Sequence, residues 1–412
     1  MRKLYGNAVV GQSGGPTSAI NATLSGVIRG VLQDHGRNIP TLYGMKNGVE
    51  GLLREDLVDL TAFFDHTPEK LRLLEQTPAA ALGSCRLKLP NPQDDAAFFE
   101  KLIAIFKKYD IRYFFYIGGN DSMDTVAKLT AYLKTCDYEM RAIGVPKTID
   151  NDLVGTDHAP GFGSAAKYIA VTMQEILRDC SVYRVPAVTI VEMMGRDAGW
   201  LTASSALGRL TGGAEPDLIY LPERVFDFDC FLTDIQEALR KHPNVVVAVS
   251  EGVRLANGHY VGEGAQSGVS DIFGHAYLAG VGKTLEQFVR TSIGCKVRSI
   301  ELNLPQRCAA HLASETDLKE SVCVGKAAVR AACRGISGDA MVLQRVSDDP
   351  YRIVYSHLSV ASVANQIRKV DDRFINAQGN HVTDECCRYL LPLIQGEVKC
   401  IYRDGFPVHL TI

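Results

Sequence analysis

A chain of 412 residues is too long for one ordinary hydrophobic core, so its length predicts two domains with room for a smaller terminal piece. The residues are 46% hydrophobic and 22% charged, as in a soluble globular protein, and no apolar run approaches the roughly 20 residues that would span a bilayer. The formal charge of −3 is spread along the chain without a basic cluster, which argues against a nucleic-acid-binding surface.

The cysteines and the first residues bear on the compartment. The eleven cysteines are scattered without the spacing of a zinc site or a disulfide framework, so free thiols are the expected state. The opening MRKLYGNAVV has a basic start but only a short apolar stretch, which is not the pattern of a cleavable secretory signal. The sequence therefore predicts a cytoplasmic protein that binds neither membranes nor nucleic acid.

Strand-like and helix-like patterns alternate along the chain. The strand-like runs, in chain order, are NAVVGQ, RYFFYI, RAIGVP, VPAVTIVEMM, DLIYLP, NVVVAVSEG and KVRSIELNL. Helix-like stretches such as SAINATLSGVIRGVLQDHG and SMDTVAKLTAYLKTC follow them, and this βαβ order predicts an α/β fold with parallel sheets covered by helices on both faces. After about residue 340 the pattern is less regular, and PYRIVYSHLSVASVANQIRKV predicts a strand followed by a helix in an appended element.

Ligands of parallel α/β sheets bind at the carboxyl ends of the strands, so the residues after each strand are the candidates for function. In GQSGGPTSAIN, Gly14 and Gly15 lie between a strand and a helix for which Thr17 and Ser18 are the predicted N-caps. A helix N-terminus preceded by bare glycine backbone can bind an anion. Taken alone, this turn fits a phosphate site and an ordinary tight turn equally well.

The stretch IGGNDS repeats this arrangement after another strand. Gly118 and Gly119 end the strand, and the following helix is expected to be capped near Asp121 or Ser122. Because aspartate at an N-cap is ordinary helix chemistry, a simple capped turn is a strong alternative at this position.

A third strand end, IGVPKTIDNDLVGTD, places a cation, a hydroxyl and two acids together as Lys147, Thr148, Asp150 and Asp152. Lysine can neutralise developing negative charge, aspartate can accept a hydroxyl proton, and carboxylates can hold magnesium. These are the parts of a phosphoryl-transfer site, although TIDND would also be an ordinary surface turn.

Further strand ends supply side chains that suit the same chemistry. They are Met194, Gly195 and Arg196 in VEMMGRDAGW, Glu251 in VVVAVSEG, and Arg298 and Arg307 in CKVRSIELNLPQR. Arg86 in GSCRLK is a further candidate outside these strand ends. An arginine can hold a phosphate with two parallel hydrogen bonds, but each arginine alone is more often part of a surface ion pair. Several strand ends that fit one phosphate chemistry are harder to dismiss than any single one.

Taken together, these motifs resemble the phosphofructokinase family. SGGPTSAIN, GSCR, GGNDS, PKTIDND, MGR, VSEG and the late QR occur in the family's order between about residues 10 and 310, and PKTIDND with MGR is a specific combination. The resemblance implies two Rossmann-like three-layer α/β/α domains with mainly parallel sheets and an active site in the cleft between them. We expect a donor domain at 1–160, a sugar-phosphate domain at 161–340 with chain crossovers between the two, and a C-terminal extension at 341–412.

The resemblance also implies roles for individual residues. Asp150 would take the proton of the sugar 1-hydroxyl, and the other catalytic residues would be Lys147, Thr148 and Arg196. The donor-binding residues would be Gly14, Gly15, Arg86, Gly119, Asn120, Asp121, Ser122 and Lys147. The sugar-phosphate-binding residues would be Thr148, Asp150, Asp152, Met194, Gly195, Arg196, Glu251, Arg298 and Arg307. In the family one of the last two arginines often comes from a neighbouring subunit, which predicts a homodimer or homotetramer.

Two positions distinguish the donors within the family. ATP-using members resemble GGDGS and PGTIDND, with glycine where this chain has Asp121 and Lys147, whereas pyrophosphate-using members resemble GGDDS and PKTIDND. A carboxylate at the first position fills the space that an α-phosphate needs and repels its charge, and a lysine at the second adds a cation for a compact donor. The resemblance therefore implies pyrophosphate as the donor.

Three departures from the family pattern bear on the metal and the acceptor. The residue before Asp121 is Asn120, where the family has an aspartate that deals with magnesium, so we assign Mg²⁺ to Asp121 and Asn120, with the amide as the weaker ligand. Leu304 stands where the family has a histidine, and Ala187 stands where it often has an intersubunit arginine. The last two lie on the sugar-phosphate side and leave the acceptor more open than the donor.

The implied reaction is the magnesium-requiring, reversible phosphorylation of fructose 6-phosphate at its 1-hydroxyl by pyrophosphate, a step of glycolysis. Three alternatives stay open: the same chemistry on sedoheptulose 7-phosphate, ATP as the donor, or a catalytically weak regulatory or sugar-binding subunit. The intact Lys147, Thr148, Asp150, Asp152 and Arg196 argue against the last of these.

Overall fold

The computed structural model describes residues 4–263 and 280–412. In chain order, the described strands are β1 (Asn7–Gln12), β2 (Leu42–Met45), β3 (Leu57–Asp59), β4 (Ile111–Gly118), β5 (Arg141–Pro146), β6 (Ala187–Met193), β7 (Leu218–Tyr220), β8 (Asn244–Ser250), β9 (Lys296–Glu301), β10 (Asp339–Asp348), β11 (Tyr351–Ser359), β12 (Tyr402–Arg403) and β13 (Phe406–Pro407).

The described α-helices are α1 (Ile20–Asp34), α2 (Gly48–Leu53), α3 (Leu60–Phe64), α4 (Pro68–Gln76), α5 (Ala96–Lys108), α6 (Asn120–Leu133), α7 (Phe162–Cys180), α8 (Trp200–Ala203), α9 (Phe228–Lys241), α10 (Val281–Ile293), α11 (Pro305–Cys308), α12 (Glu315–Cys333) and α13 (Asp384–Leu390). Short 3-10 helices lie at 204–211, 310–312, 360–362, 372–374 and 391–394.

The strands form two main sheets, which confirms the predicted α/β fold. The larger sheet has the order β11-β10-β5-β4-β1-β2-β3, parallel except at its two edge pairs, and the smaller has the order β7-β8-β6-β9 with parallel pairs throughout. Their central strands are nearly inaccessible, as in β4, where 113–117 are at most 1% exposed. Such continuous burial is expected for parallel strands that have helices on both faces.

Each sheet lies between two hydrophobic layers. Helices α1, α4 and α12 cover one face of the larger sheet, and α2, α5 and α6 cover the other. Helices α7 and α8 pack on one face of the smaller sheet, and α9 and α10 pack on its opposite face. The loops that follow the strands therefore lie at the carboxyl edge of each sheet.

Helices α1 and α12 approach each other unusually closely through glycines. A Cβ atom on Gly26 would lie 2.2 Å from the carbonyl oxygen of Val322, and one on Gly325 would lie 2.4 Å from the carbonyl oxygen of Thr23 and 2.7 Å from the backbone nitrogen of Val27. Backbone atoms cannot rotate away as a side chain can, so this helix pair requires glycine at both positions.

The segment expected as a C-terminal extension is divided between the two sheets. Strand β10 begins before residue 341 and pairs in parallel with β5, so it belongs to the larger sheet. Val370, Phe374 and Leu390 lie in the core of the smaller sheet. The structure therefore differs from the expected boundary at residue 340. Residues after that position complete two cores that are formed mainly by earlier parts of the chain.

The end of the chain returns to the first half of the molecule. Gln76 at the end of α4 donates through Nε2 to the carbonyl oxygens of Ile401 (3.1 Å) and Val408 (2.7 Å). The helix predicted after β11 is wrong, because only a 3-10 turn at 360–362 follows that strand. Residues 363–365 form a turn, and 366–371 have no regular secondary structure.

The predicted helix caps are also displaced. Helix α1 has Ala19 as its N-cap, and Thr17 serves only as an acceptor for the Ala19 N–H at 3.2 Å. Helix α6 has Gly119 as its N-cap and begins at Asn120, so Asp121 and Ser122 lie inside its first turn. This frees the Asn120 and Asp121 side chains from capping.

Across the ranges 4–263 and 280–412, none of the helices has both the length and the apolar character needed to traverse a lipid bilayer.

Candidate active site

A cleft of about 510 Å³ lies where the carboxyl ends of strands from both sheets face each other. It brings together most of the residues that the motifs predict. Those that line it are Gly14, Gly15, Arg86, Gly119, Asn120, Asp121, Ser122, Lys147, Thr148, Asp150, Asp152, Met194, Arg196, Glu251 and Arg307. All of them except Arg86, which lies between α4 and α5, follow β1, β4, β5, β6, β8 or β9, as expected for a site built at strand ends.

Lys147 fixes the glycine turn after β1. Its Nζ donates a hydrogen bond to the carbonyl oxygen of Gly15 at 2.6 Å, and only 2% of the residue is exposed. Burial lowers the pKa of Lys147 to about 8, although Asp150 and Asp152 act in the opposite direction. Gly14 has a φ of 77°, and a Cβ there would lie 3.4 Å from this Nζ, so the bare backbone lets the ammonium sit against the turn.

Asp150 lies in the turn after β5, and its carboxyl group has a raised pKa. Burial and the neighbouring Asp152 raise the pKa of Asp150 to about 7, while Lys147 and Arg196 oppose the shift. The Asp150 N–H donates to Oγ1 of Thr148 at 3.1 Å, which holds the turn in shape. A carboxylate in this range is suited to accept a proton near neutral pH.

Asn120 and Asp152 place oxygen atoms beside Asp150. The Asn120 Nδ2 donates to Oδ2 of Asp152 at 3.4 Å, and the Oδ1 of Asn120 is buried without a hydrogen-bond partner. Burial raises the pKa of Asp152, against hydrogen bonds from its own backbone and from Thr148. An unpartnered amide oxygen next to carboxylates accepts hydrogen bonds or a hard cation, so this donor set fits Mg²⁺ and its water ligands.

Among the described residues, neither this cleft nor any other part of the chain has a group of three or more histidine, cysteine, aspartate or glutamate side chains arranged as a metal site. Any magnesium in this cleft would therefore rely on the amide oxygen of Asn120 and on oxygen atoms of the substrates as well as on carboxylates.

Asp121 lines the cleft next to Lys88. Its Oδ1 lies 3.3 Å from Nζ of Lys88, and both side chains are close to half exposed. Lys88 follows the GSCR motif and lines the cleft, but no sequence pattern distinguishes it from other surface lysines.

On the opposite side of the cleft, the loop after β6 is held by two neighbours. The Gly195 N–H donates to Oε1 of Glu251 at 3.3 Å, and the Met194 N–H donates to Oε1 of Gln306 at 3.2 Å. Gly195 has a φ of 131°, and a Cβ there would lie 2.6 Å from the carbonyl oxygen of Ala198. The glycine is therefore required for the turn and does not itself line the cleft.

Burial and the nearby Asp150 raise the pKa of Glu251 to about 8. Arg307 lines the same side, and burial together with Arg86 lowers its pKa. This half of the cleft thus combines a carboxyl group that can be protonated near neutral pH with a guanidinium group, which suits a substrate that has both hydroxyls and a phosphate.

Arg298 is not in the cleft. It is exposed on β9, opposite Thr189 of β6, and it lines a separate surface depression with Tyr183, Ala187 and Lys296. The expectation that Arg298 and Arg307 hold one phosphate is thus not met within a single chain. The motif order does not show this separation: Arg298 lies on β9, whereas Arg307 lies in the following helix α11.

The sequence-based predictions missed several cleft residues, four of which bear on the site. Lys88, Asp197, Asn365 and Ile367 all line it. Asp197 directly follows the MGR motif and pairs with Arg254 at 2.9 Å, so its position was a usable signal. Asn365 and Ile367 come from the segment after β11 that was expected to be an appended helix, and no local pattern connects that segment to the motifs.

Comparisons with known proteins agree with the arrangement of this cleft. The family model described as phosphofructokinase matches residues 7–332. The chain is 41% identical over 408 residues to the pyrophosphate–fructose 6-phosphate 1-phosphotransferase of Methylococcus capsulatus, with 98% of this chain and 96% of that protein covered. A protein of the same name from Xanthomonas campestris pv. campestris is 41% identical over 410 residues, with 99% and 96% covered.

A solved structure is similar over the same extent. The pyrophosphate-dependent phosphofructokinase from Nitrosospira multiformis superposes with a TM-score of 0.88 at 36% identity, with 98% of this chain and 96% of that chain covered. The similarity therefore includes the residues after position 332, which the family model does not match.

Proposed function

The chain belongs to the phosphofructokinase family, and on that basis we propose that it transfers a phosphoryl group reversibly from pyrophosphate to the 1-hydroxyl of fructose 6-phosphate. Full-length relatives with this named activity support the reaction, and a lining with acids, a lysine and arginines supports phosphoryl transfer. The proposal includes a place in glycolysis and in the cytoplasm.

The presence of both Asp121 and Lys147 in one cleft is the observation that most supports pyrophosphate as the donor. Lys147 holds its positive charge against the Gly15 carbonyl at the donor end, where a compact dianionic phosphate would approach. Asp121 adds bulk and negative charge in the first turn of α6, where the α-phosphate of a nucleotide would have to lie. The two residues together favour a donor that ends at its second phosphorus.

In the proposed mechanism Asp150 acts as the general base. The 1-hydroxyl oxygen of the sugar attacks one phosphorus of pyrophosphate, its proton moves to Asp150, and the bond to the bridging oxygen breaks to release phosphate. The pKa of about 7 keeps Asp150 able to accept that proton near neutral pH. Lys147 and Arg196 stabilise the charge on the transferred group.

Magnesium is part of the proposal. Asn120 through Oδ1, together with Asp121, would supply oxygen ligands, and the Asn120 Oδ1 that is buried without a hydrogen-bond partner supports the assignment. When bound, the metal would neutralise charge on the phosphates. The neutral Asn120 avoids a further negative charge beside Asp150 and Asp152.

The position of Arg298 supports a dimer or larger homo-oligomer. Arg298 is exposed and lies outside its own cleft, and Ala187 lines the same depression. The exposed stretch 181–186 beside them includes Val182, Tyr183 and Val185, which are 66%, 56% and 56% exposed. We place a second copy against this surface, so that Arg298 of one subunit reaches the sugar phosphate of the other.

A donor comparison tests the proposed function. Purified protein with fructose 6-phosphate and magnesium should turn over with pyrophosphate, while ATP at the same concentration should give at most a trace of activity. Activity with ATP that equals or exceeds activity with pyrophosphate would overturn the donor assignment, and no turnover with either would favour a regulatory or sugar-binding subunit.

The same assay tests the base and the acceptor. Asp150→Asn keeps the shape of the side chain but removes the proton acceptor, so turnover should fall by about 10³-fold while the melting temperature stays near that of the wild type. Sedoheptulose 7-phosphate should give a lower kcat/KM than fructose 6-phosphate, and the reverse order would move the assignment to the seven-carbon sugar.

A further inference from the structure

The segment 360–370, which we call the strap, connects the two halves of the molecule across the cleft. Val360 and Val363 are each 3% exposed in the core that contains α5 and α6 on the larger sheet. Val370 is 3% exposed in the core of the smaller sheet, where its N–H donates to Oε1 of Glu223 at 2.9 Å. The strap lies beyond the residues matched by the family model.

The middle of the strap faces the cleft. Asn365 and Ile367 line it, and Ile367 keeps 48% of its surface exposed there, whereas Gln366 between them does not line it. An exposed isoleucine in a cleft that is otherwise rich in charge makes no polar contact with a phosphate. Its contribution to such a site is to occupy space.

Two tethers place the strap beside the first turn of α6. Asn365 Nδ2 donates to Oδ1 of Asp124 at 3.2 Å, and Asp124 lies three residues after Asp121, so both point from one face of the helix. At the other end of the strap, the Arg368 N–H donates to the carbonyl oxygen of Asp152 at 2.8 Å. Ile367 therefore lies between the Asp124 tether and the turn after β5.

Lysines enclose the opposite side of the same turn. Lys88 lies 3.3 Å from Asp121, and Lys128 contacts both the Leu89 carbonyl oxygen at 2.9 Å and Asp124 at 2.7 Å. The donor end is thus bounded by the loop 86–89 on one side and by the strap on the other. A group attached beyond the second phosphorus of the donor would have to pass one of these walls.

We propose that the strap is a second donor-size filter, in which Ile367 and Asn365 occupy the space that any extension of pyrophosphate would need. The inference rests on the proposed function and adds a steric contribution that is separate from the charge of Asp121. Pyrophosphate fits inside the two walls, whereas a longer polyphosphate or a nucleotide meets the strap.

Donor length is the most direct test. For wild type, Ile367→Ala and the matched control Gln366→Ala, kcat/KM would be measured with pyrophosphate and with inorganic tripolyphosphate at fixed fructose 6-phosphate and magnesium. Ile367→Ala should raise the tripolyphosphate-to-pyrophosphate ratio by about tenfold, as expected when a few methyl groups are removed from a contact surface, and Gln366→Ala should leave it within about twofold. An equal ratio in the two variants, including no use of tripolyphosphate by either, would overturn the filter.

A second arm separates the steric and the electrostatic contributions. In the Asp121→Gly background, adding Ile367→Ala should increase kcat/KM with ATP, and adding Gln366→Ala should not. An ATP gain from Asp121→Gly that Ile367→Ala does not enlarge would count against the strap. If the wild type shows no turnover with pyrophosphate, the proposed function is wrong. That outcome is distinct from the two results that would count against the strap.

Discussion

At the scale of single residues, burial sets the proton equilibria around the cleft. Asp150 and Glu251 have pKa values raised to about 7 and about 8, and Lys147 has a pKa lowered to about 8. Burial is the largest cause in all three, because a low-dielectric surrounding disfavours the charged form. None of these values could be read from the motifs, since the sequence does not show which side chains are removed from water.

These values predict a bell-shaped pH profile. The kcat/KM for fructose 6-phosphate at saturating pyrophosphate should rise through about pH 7 as Asp150 loses its proton, and fall above about pH 8 as Lys147 loses its charge. The near-isosteric Glu251→Gln removes the other group that titrates near pH 8, and it should retain the alkaline limb. Disappearance of that limb in Glu251→Gln would assign it to Glu251 instead.

Asn120 offers a test of the metal assignment. Asn120→Asp replaces an amide oxygen by a carboxylate, a stronger ligand for a hard cation, so the magnesium concentration for half-maximal activity should fall by about tenfold. Gln366→Glu adds the same charge at an exposed strap residue that does not line the cleft, and it should leave the magnesium dependence unchanged. Equal responses of the two variants would mean that only the added charge matters.

At the scale of secondary structure, close contacts between elements depend on glycines that sequence patterns alone do not explain. Gly26 and Gly325 look like weak points in helices, because glycine disfavours a helix interior. The structure shows that they allow the backbones of α1 and α12 to touch. The two helices are nearly 300 residues apart in the chain, so the contact has no local signal.

The effect of Gly325→Ala on the free energy of unfolding, an increase or a decrease, tests this contact. In an isolated helix the change would stabilise by about 1 kcal/mol. Here the added Cβ meets backbone atoms of α1, and we expect the free energy of unfolding in urea to decrease by about 1–3 kcal/mol. Lys319→Ala, at a side chain 68% exposed on the same helix, should change it by less than about 0.5 kcal/mol. A stabilised Gly325→Ala would show that the helices can separate at no cost.

At the scale of the whole molecule, the position of Arg298 requires a second subunit if this residue binds substrate. It lies on β9 with Lys296, on a surface that does not face the cleft of its own chain. In a two-fold dimer Arg298 of each subunit would reach the cleft of the other subunit, because the same contact occurs twice. Each active site would then be incomplete in a monomer.

Subunit mixing tests that arrangement. Asp150→Asn and Arg298→Ala proteins, each of low activity with fructose 6-phosphate, would be mixed in equal amounts, dissociated and reassociated. If Arg298 acts in the partner's cleft, half of the dimers are mixed and each has one intact site, so about one quarter of wild-type activity should return. Lys296→Ala, from the same depression, should not show the low activity of Arg298→Ala. A mixture no more active than the mean of its parents would place Arg298 in its own site or outside the reaction.

The sequence by itself determined the alternation of strands and helices and the motif residues at the strand ends. Through the family resemblance at Asp121 and Lys147 it also implied the donor. These features are local, because each depends on a short run of neighbouring residues. Only the tertiary structure decided which strand ends face one cleft, because that depends on strand order and on crossovers between two sheets. It also placed Arg298 outside the cleft and the strap residues Asn365 and Ile367 inside it. The strap crosses the cleft because its apolar residues Val363 and Val370 are buried in two different cores. No single segment of sequence shows that these two cores lie on opposite sides of one cleft.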